Sequence, residues 1–246
     1  MKFLVTLAIA IFCLVFAESA LAQTVTLDIG DTGDGTVTGR IVQMIGLLTI
    51  LSLAPAILMM TTSFIRIVVV LSFLRTAIGI QQTPPNMVLI SLAMFLTFFI
   101  MTPTFNAAYE NGVQPLINEQ IDEVQAFGEM AKPFKSFMLE HTREADLLLF
   151  TEMSEKGPYE NAAAIPLQVI IPAFMISELK RAFEIGFMLF LPFLIIDMVT
   201  ASILMAMGMM MLPPVTISLP FKIIFFVVVD GWYLVAGSLV KSFGGS

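Results

Sequence analysis

From Ile41 to Ile65 the chain runs for 25 residues without a charged side chain. That run restricts the fold before anything else is known. In hydrocarbon every backbone N–H and C=O needs a partner within the protein, so a segment this long and apolar is a spanning helix or part of a closed barrel. Barrel strands alternate apolar and polar residues, whereas this run is continuous, which predicts a helix. The character recurs at Met87–Thr102, Ile185–Leu212 and Phe221–Val240, with Asn161–Ser177 a marginal case. Only 13% of residues are charged and mean hydropathy is +0.93, against roughly 25% charged in an ordinary soluble domain. Polar surface is too scarce to coat a globule in water. The expectation is an all-α fold of four to five apolar helical segments, arranged as membrane-associated helical hairpins.

The N-terminus carries a separate signal. Lys2 precedes an apolar Phe3–Phe16 stretch, and Ala20-Leu21-Ala22 gives a small-x-small cleavage pattern ahead of Gln23. Residues 1–22 therefore read as a cleaved signal peptide, with an uncleaved first span as the alternative. The mature N-terminus is then outside the cytoplasm. Cys13 is the single cysteine and falls in the removed segment, so the mature chain has no disulfide of its own and no thiolate metal site. The net charge of −7 leaves no basic footprint for nucleic acid. Residues 23–40 read as a flexible leader. Asp28, Asp31 and Asp34 recur every third residue, and no acid closes a calcium-binding loop.

Residues 41–105 read as a first helical hairpin. Pro55 is expected to kink its first arm, Arg66 and Arg75 interrupt the apolar character, and Pro84 and Pro85 mark the turn. Residues 106–160 carry eleven acids against four bases. Leu116, Ile117, Ile121, Val124 and Phe127 recur at helical spacing, as do Phe134, Phe137, Met138, Ala145 and Leu148. Two amphipathic helices are predicted, the second opened by Pro133. In residues 161–246 the Glu178–Arg181 charges are expected to break the apolar run, and Pro213 and Pro214 to turn a C-terminal hairpin with a methionine-rich loop. From an external start, positive charges place Arg66, Arg75, Lys180 and Arg181 inside and the acidic region in the periplasm.

Charges within apolar segments are costly, roughly 2.5–3.5 kcal/mol each at a bilayer centre. Arg66, Glu178, Asp197 and Lys222 are the principal cases, and Asp230 is another. Two functions fit: transport of ions or protons through the chain, or salt bridges that lock assembled helices. Met205, Met207, Met209, Met210 and Met211 crowd ahead of Pro213-Pro214. Methionine conforms to irregular apolar surfaces, so core filler is the favoured reading from the residues alone, and a compliant channel seal the alternative. The chain has no phosphate-binding loop, zinc-protease motif or nucleophile elbow. Catalysis, a cofactor and a metal are not expected, and the lone His141 is expected on a solvated surface.

The strings Met60–Leu71, Leu74-Arg75, Gly79–Asn86, Ser177–Phe183, Phe193–Asp197, Gly208–Pro214, Leu219–Lys222 and Val229–Trp232 closely resemble the FliP/SctR family of type III secretion export-gate subunits. The resemblance covers nearly everything after Arg40 and is looser in the middle region. Virulence-type injectisome members generally lack a cleaved signal peptide, so residues 1–22 favour the flagellar branch. The resemblance implies a ring of five copies in the bacterial inner membrane and flagellar basal body, with substantial periplasmic exposure. Its implied partners are FliQ and FliR in the export gate, with FlhB, FlhA and FliO beside it, and unfolded flagellar proteins as cargo. The family's methionine gasket falls on Met209, Met210 and Met211. Arg66, Glu178, Asp197 and Lys222 then become candidates for ion pairs between subunits. A self-contained transporter is the competing reading, although internal repeats of the kind transporters show are not evident.

Overall fold

A computed structural model describes residues 37–80, 82–154, 159, 161, 164–209 and 212–244. The expected signal peptide and residues 23–36 of the expected leader lie outside the described residues. Every described element is helical: α1 Val37–Met60, α2 Phe64–Ile78, α3 Asn86–Ala108, α4 Gln114–Ile117, α5 Glu123–His141, α6 Glu144–Met153, α7 Leu167–Ala206, α8 Pro214–Val228 and α9 Gly231–Lys241. A short π-helical turn, Tyr109–Val113, joins α3 to α4. The chain divides into a unit ending at Thr49 and a second from Ile50 onward. The first contributes only the opening of α1, which is already helical from Val37 rather than from Ile41.

Two helical stretches, Asn86–Ile117 and Leu167–Ala206, are long and apolar enough to cross a membrane. The count rises to four if the α1–α2 and α8–α9 pairs each form one broken span. The expected helical, membrane-type fold is therefore present, with several boundaries moved. Pro55 lies inside α1, and the break comes instead at Thr61–Ser63. The second arm of the first hairpin does not stop near Thr102; Pro103 is accommodated within α3.

The largest departure is α7, a single helix of 40 residues where two segments were expected. Glu, Lys and Arg are good helix formers, so their polarity marks a change of environment and not a break in the backbone. Lys180 and Glu184 sit four residues apart and face each other at 3.9 Å. Pro172 and Pro192 are both internal. At 1.5 Å per residue the helix is about 60 Å long, roughly twice the hydrocarbon thickness of a bilayer. The acidic region is also partitioned differently. Pro133 lies inside α5 and does not open a helix. Asp122 caps α5 by accepting the Gln125 N–H at 2.7 Å, and the break falls at Thr142-Arg143, whose backbone is extended.

Packing follows from these elements. Ile67, Val70, Leu71 and Leu74 of α2 form the main core with Leu89 and Ala93 of α3, Ala182 and Phe193 of α7, Phe226 of α8 and Val235 and Leu239 of α9. A second cluster joins Met138 of α5 to Ile165, Val169, Ile170 and Phe174, with Leu147 and Phe150 of α6 packed against it. The amino-terminal half of α7 thus meets the acidic region, and its carboxy-terminal half meets α8. Helices α2 and α7 run parallel, since Arg66 meets Glu178 and Phe73 meets Phe183 in an edge contact at 4.9 Å.

The approach of α2 to α7 depends on Gly186. A Cβ built there would stand 2.6 Å from the Phe73 ring, closer than real carbons pack. Gly186→Val should force the two helices apart and cost about 1–3 kcal/mol, the usual range for overpacking. The expected readout is a lower melting temperature of the detergent-solubilised protein; an unchanged one would contradict this packing.

Candidate functional site

Three of the four sequence-selected ions are almost wholly buried, and all four pair within this one chain. The Arg66 side chain is 1% exposed and that of Glu178 is 0% exposed. The guanidinium donates in a two-pronged arrangement, Nε to Glu178 Oε2 at 2.8 Å and Nη2 to Oε1. Its remaining Nη1 donates to the Ser242 carbonyl at 3.2 Å and to Ser242 Oγ at 3.0 Å. The Phe243 ring covers it, 3.6 Å from Cζ to the ring centroid. Planar geometry suits Arg to this role, because its fixed fork matches a carboxylate and its flat face stacks on an aromatic.

The second pair joins the other end of α7. Lys222 Nζ donates to Asp197 Oδ2 at 2.6 Å and to the Ala77 carbonyl at 3.3 Å. Ser218 Oγ, one turn before Lys222, donates to Asp197 Oδ1 at 2.5 Å. Lys222 is nearly sealed, while the Asp197 side chain keeps 27% of its exposure. The pairings that the sequence left unassigned are made inside the chain, Arg66 with Glu178 and Lys222 with Asp197. The physical reason is that parallel α2 and antiparallel α8 both lie along α7, which brings distant sequence positions to hydrogen-bond range.

His141 also departs from expectation. It is buried, not solvated: its Nδ1 lies 2.9 Å from the Phe137 carbonyl, and its ring packs on Phe137 and Phe243. It belongs to the aromatic layer beside the Arg66 site, and the signal for it was its place on the apolar stripe, four residues after Phe137 and three after Met138. Asp146, Ser177 and Arg143 form a further polar node that sequence reading missed. Ser177 Oγ donates to Asp146 Oδ2 at 2.6 Å and accepts the Arg143 N–H at 3.0 Å. This ties the start of α6 to α7. The only hint in the sequence was that Ser177 precedes Glu178 in an otherwise apolar run. Among the described residues no cluster of His, Cys, Asp or Glu is arranged to hold a metal ion.

The methionine turn is built by its helix end. Met209 N–H donates to the Leu204 carbonyl at 3.0 Å, and Gly208 N–H to the Met205 carbonyl at 3.0 Å. This pair of bonds is a Schellman motif, which needs a left-handed residue after the helix. Gly208, at φ +75°, supplies it without a Cβ penalty. Met205, Met207 and Met209 are all exposed, Met209 by 47%. They are therefore not core filler within the chain. Met210 and Met211 lie outside the described residues. Pro213 and Pro214 stand where the chain re-enters α8. At the other turn, Pro84 and Pro85 separate α2 from α3, with a cis bond before Pro84.

Breaking one partner of the Arg66 pair leaves an unpaired buried charge, which typically costs about 3–5 kcal/mol, whereas apolar replacement of both is near neutral. Arg66→Met should therefore lower thermal stability in detergent sharply. Arg66→Met with Glu178→Met should recover most of that loss. A double variant no more stable than Arg66→Met alone would sink the assignment of this pair as the buried lock.

Residues 47–239 match the sequence profile described as the FliP family. A flagellar biosynthetic protein FliP of Caulobacter vibrioides is 58% identical over 241 residues, covering 98% of this chain and 90% of that protein. One from Agrobacterium fabrum is 51% identical over 245 residues, covering 98% and 99%. A third, from Bacillus subtilis, is 53% identical over 217 residues, covering 88% and 98%. Likeness of this depth spans both ion pairs and the methionine turn, and on it the chain belongs to the FliP family.

Proposed function

We propose that this chain is a core subunit of the flagellar type III protein export gate, forming with FliQ and FliR the channel through which unfolded flagellar proteins cross the inner membrane. The coarser part follows from kinship: the relatives are flagellar biosynthetic proteins by name, so this is a flagellar-biosynthesis component with membrane-length helices.

The finer reading rests on one observation, that the ions face inward and the apolar side chains face outward. Phe95, Phe99, Phe187, Met188, Ile195 and Met198 are all exposed. A chain so arranged needs hydrocarbon or other apolar helices around it. Lipid alone accounts poorly for α7, which is about twice a bilayer's thickness. Burial against sister chains accounts for all of its length, and leaves the acidic region projecting into the periplasm. The ion pairs favour a structural lock within the chain over a proton relay, since Arg66 and Glu178 are sealed from water and bonded to each other. Several copies of the exposed methionine turn around a common axis give a pliable apolar constriction, able to exclude ions and yield to a passing polypeptide. FlhA, FlhB and FliO act beside this gate.

Purification of the tagged chain from native membranes tests the reading. A ring of five copies holding two other small membrane proteins in fixed stoichiometry is expected; a solitary, functional chain would defeat it. For the seal, replacing Met209, Met210 and Met211 together by Ala should leave assembly intact and raise ion leakage through the open particle in planar bilayers. Unchanged conductance in that variant removes the sealing role.

A further inference from the structure

From Met198 to Phe221 the chain carries no charged side chain. The ions that bracket this stretch, Asp197 and Lys222, are bonded to each other. The hydroxyls of Thr200 and Ser202 are turned back on their own helix, donating to the Ile196 and Met198 carbonyls at 2.8 Å each. The end of α7 and the turn after it present thioethers outward: Met205, Met207 and Met209 are 58%, 57% and 47% exposed. A thioether is apolar enough for a dry surface. Its sulfur is also, Cys13 apart, the softest target that this chain offers to an oxidant.

The consequence of oxidation differs from one methionine to another. Met101 and Met138 are buried in the folded chain, out of an oxidant's reach. Met188 and Met198 are exposed on the apolar flank of α7, which hydrocarbon or sister chains cover. Met153 is exposed on α6 in the acidic region, where one more polar atom changes little. The turn differs from all of these. Its backbone is held by the two hydrogen bonds at Gly208 and Met209, which an oxygen added to the side chains leaves untouched. A Cβ built on Gly208 meets no heavy atom within 4 Å, so there is room for that oxygen. Oxidation here spares the fold and changes only the character of the surface.

Hypochlorous acid converts a thioether to a sulfoxide: sulfur gains one oxygen and gives up two electrons, and the oxidant leaves as chloride and a proton. With hydrogen peroxide the leaving product is water. The sulfoxide is polar and accepts hydrogen bonds where an apolar atom stood. An apolar constriction holds back ions by staying dewetted. Sulfoxides around it give water a partner at each position, in a stretch that otherwise offers no charge.

We infer that Met205, Met207 and Met209 form an oxidation-sensitive site, at which sulfoxide formation by a hypohalous or peroxide oxidant wets the constriction and lets ions through. The inference rests on the seal reading above. The change is reversible: a methionine sulfoxide reductase returns each sulfoxide to a thioether, oxidising a dithiol to a disulfide and releasing water.

The assembled particle, purified from native membranes and placed in planar bilayers, tests it. Graded doses of hypochlorous acid are followed by peptide mass spectrometry and by conductance. Sulfoxide at Met205, Met207 and Met209 is expected, with the particle intact and conductance raised about tenfold. Methionine sulfoxide reductases of both stereospecificities, supplied with a dithiol, should reverse the rise. A variant carrying Met205→Leu, Met207→Leu and Met209→Leu, compared only with itself before and after oxidant, should change by less than about twofold. Met153→Leu should leak on oxidation as the unsubstituted particle does. Absence of sulfoxide at the three positions, sulfoxide there without a rise, or a rise that persists in the leucine variant overturns the inference. If the Met209, Met210 and Met211 alanine variant leaks and the oxidised particle does not, the inference falls and the seal reading stands. If neither leaks, both fall.

Discussion

An arginine sealed among apolar side chains is tolerable only if its donors are answered, and at Arg66 the answers come from two distant parts of the chain. Glu178 arrives from 112 residues away and Ser242 from 176 residues away, with Phe243 closing the face of the guanidinium. Core leucines tolerate sliding with modest loss, but a forked ion pair in low dielectric has one geometry. The parallel course of α2 on α7 and the return of the C-terminal end beyond α9 are therefore fixed together. Lys222 and Asp197 impose a similar condition nearer the other end of α7, drawing in the end of α2 through the Ala77 carbonyl.

This internal neutralisation governs how the chain meets its surroundings. With its principal ions turned inward, much of the exterior of the apolar helices is left to Phe, Met, Ile and Val. The acidic middle region stands apart. It packs on the first half of α7 through the cluster around Met138 and Phe174 and through the Asp146–Ser177 node. Its outer side nevertheless keeps Val124 and Phe127 exposed. One 40-residue helix thus links a polar environment to an apolar one without a break, so the two regions share a rigid axis.

The methionine turn illustrates how a loop is placed by its helix and not by its own contacts. The two Schellman hydrogen bonds at Gly208 and Met209 consume the backbone groups that would otherwise hold the loop to the body. The side chains of Met205, Met207 and Met209 stay free to meet something else. Thioether side chains there have many accessible shapes at similar energy, so this surface can conform to irregular apolar shapes.

The sequence by itself determined the helical class, the membrane-type composition, the two proline-marked turns and the identity of the four key ions. Each of these depends on local composition or on the cost of a charge in hydrocarbon, both readable from residue order. Tertiary structure alone decided which ions pair and that they do so within one chain. It also decided that Glu178–Arg181 and Pro133 continue helices they were expected to end. Those outcomes turn on which helix faces meet across more than a hundred residues, and periodicity along one strand of chain carries no record of the neighbour. A charged tetrapeptide reads the same whether water or an opposing arginine awaits it; only the packed fold distinguishes the two.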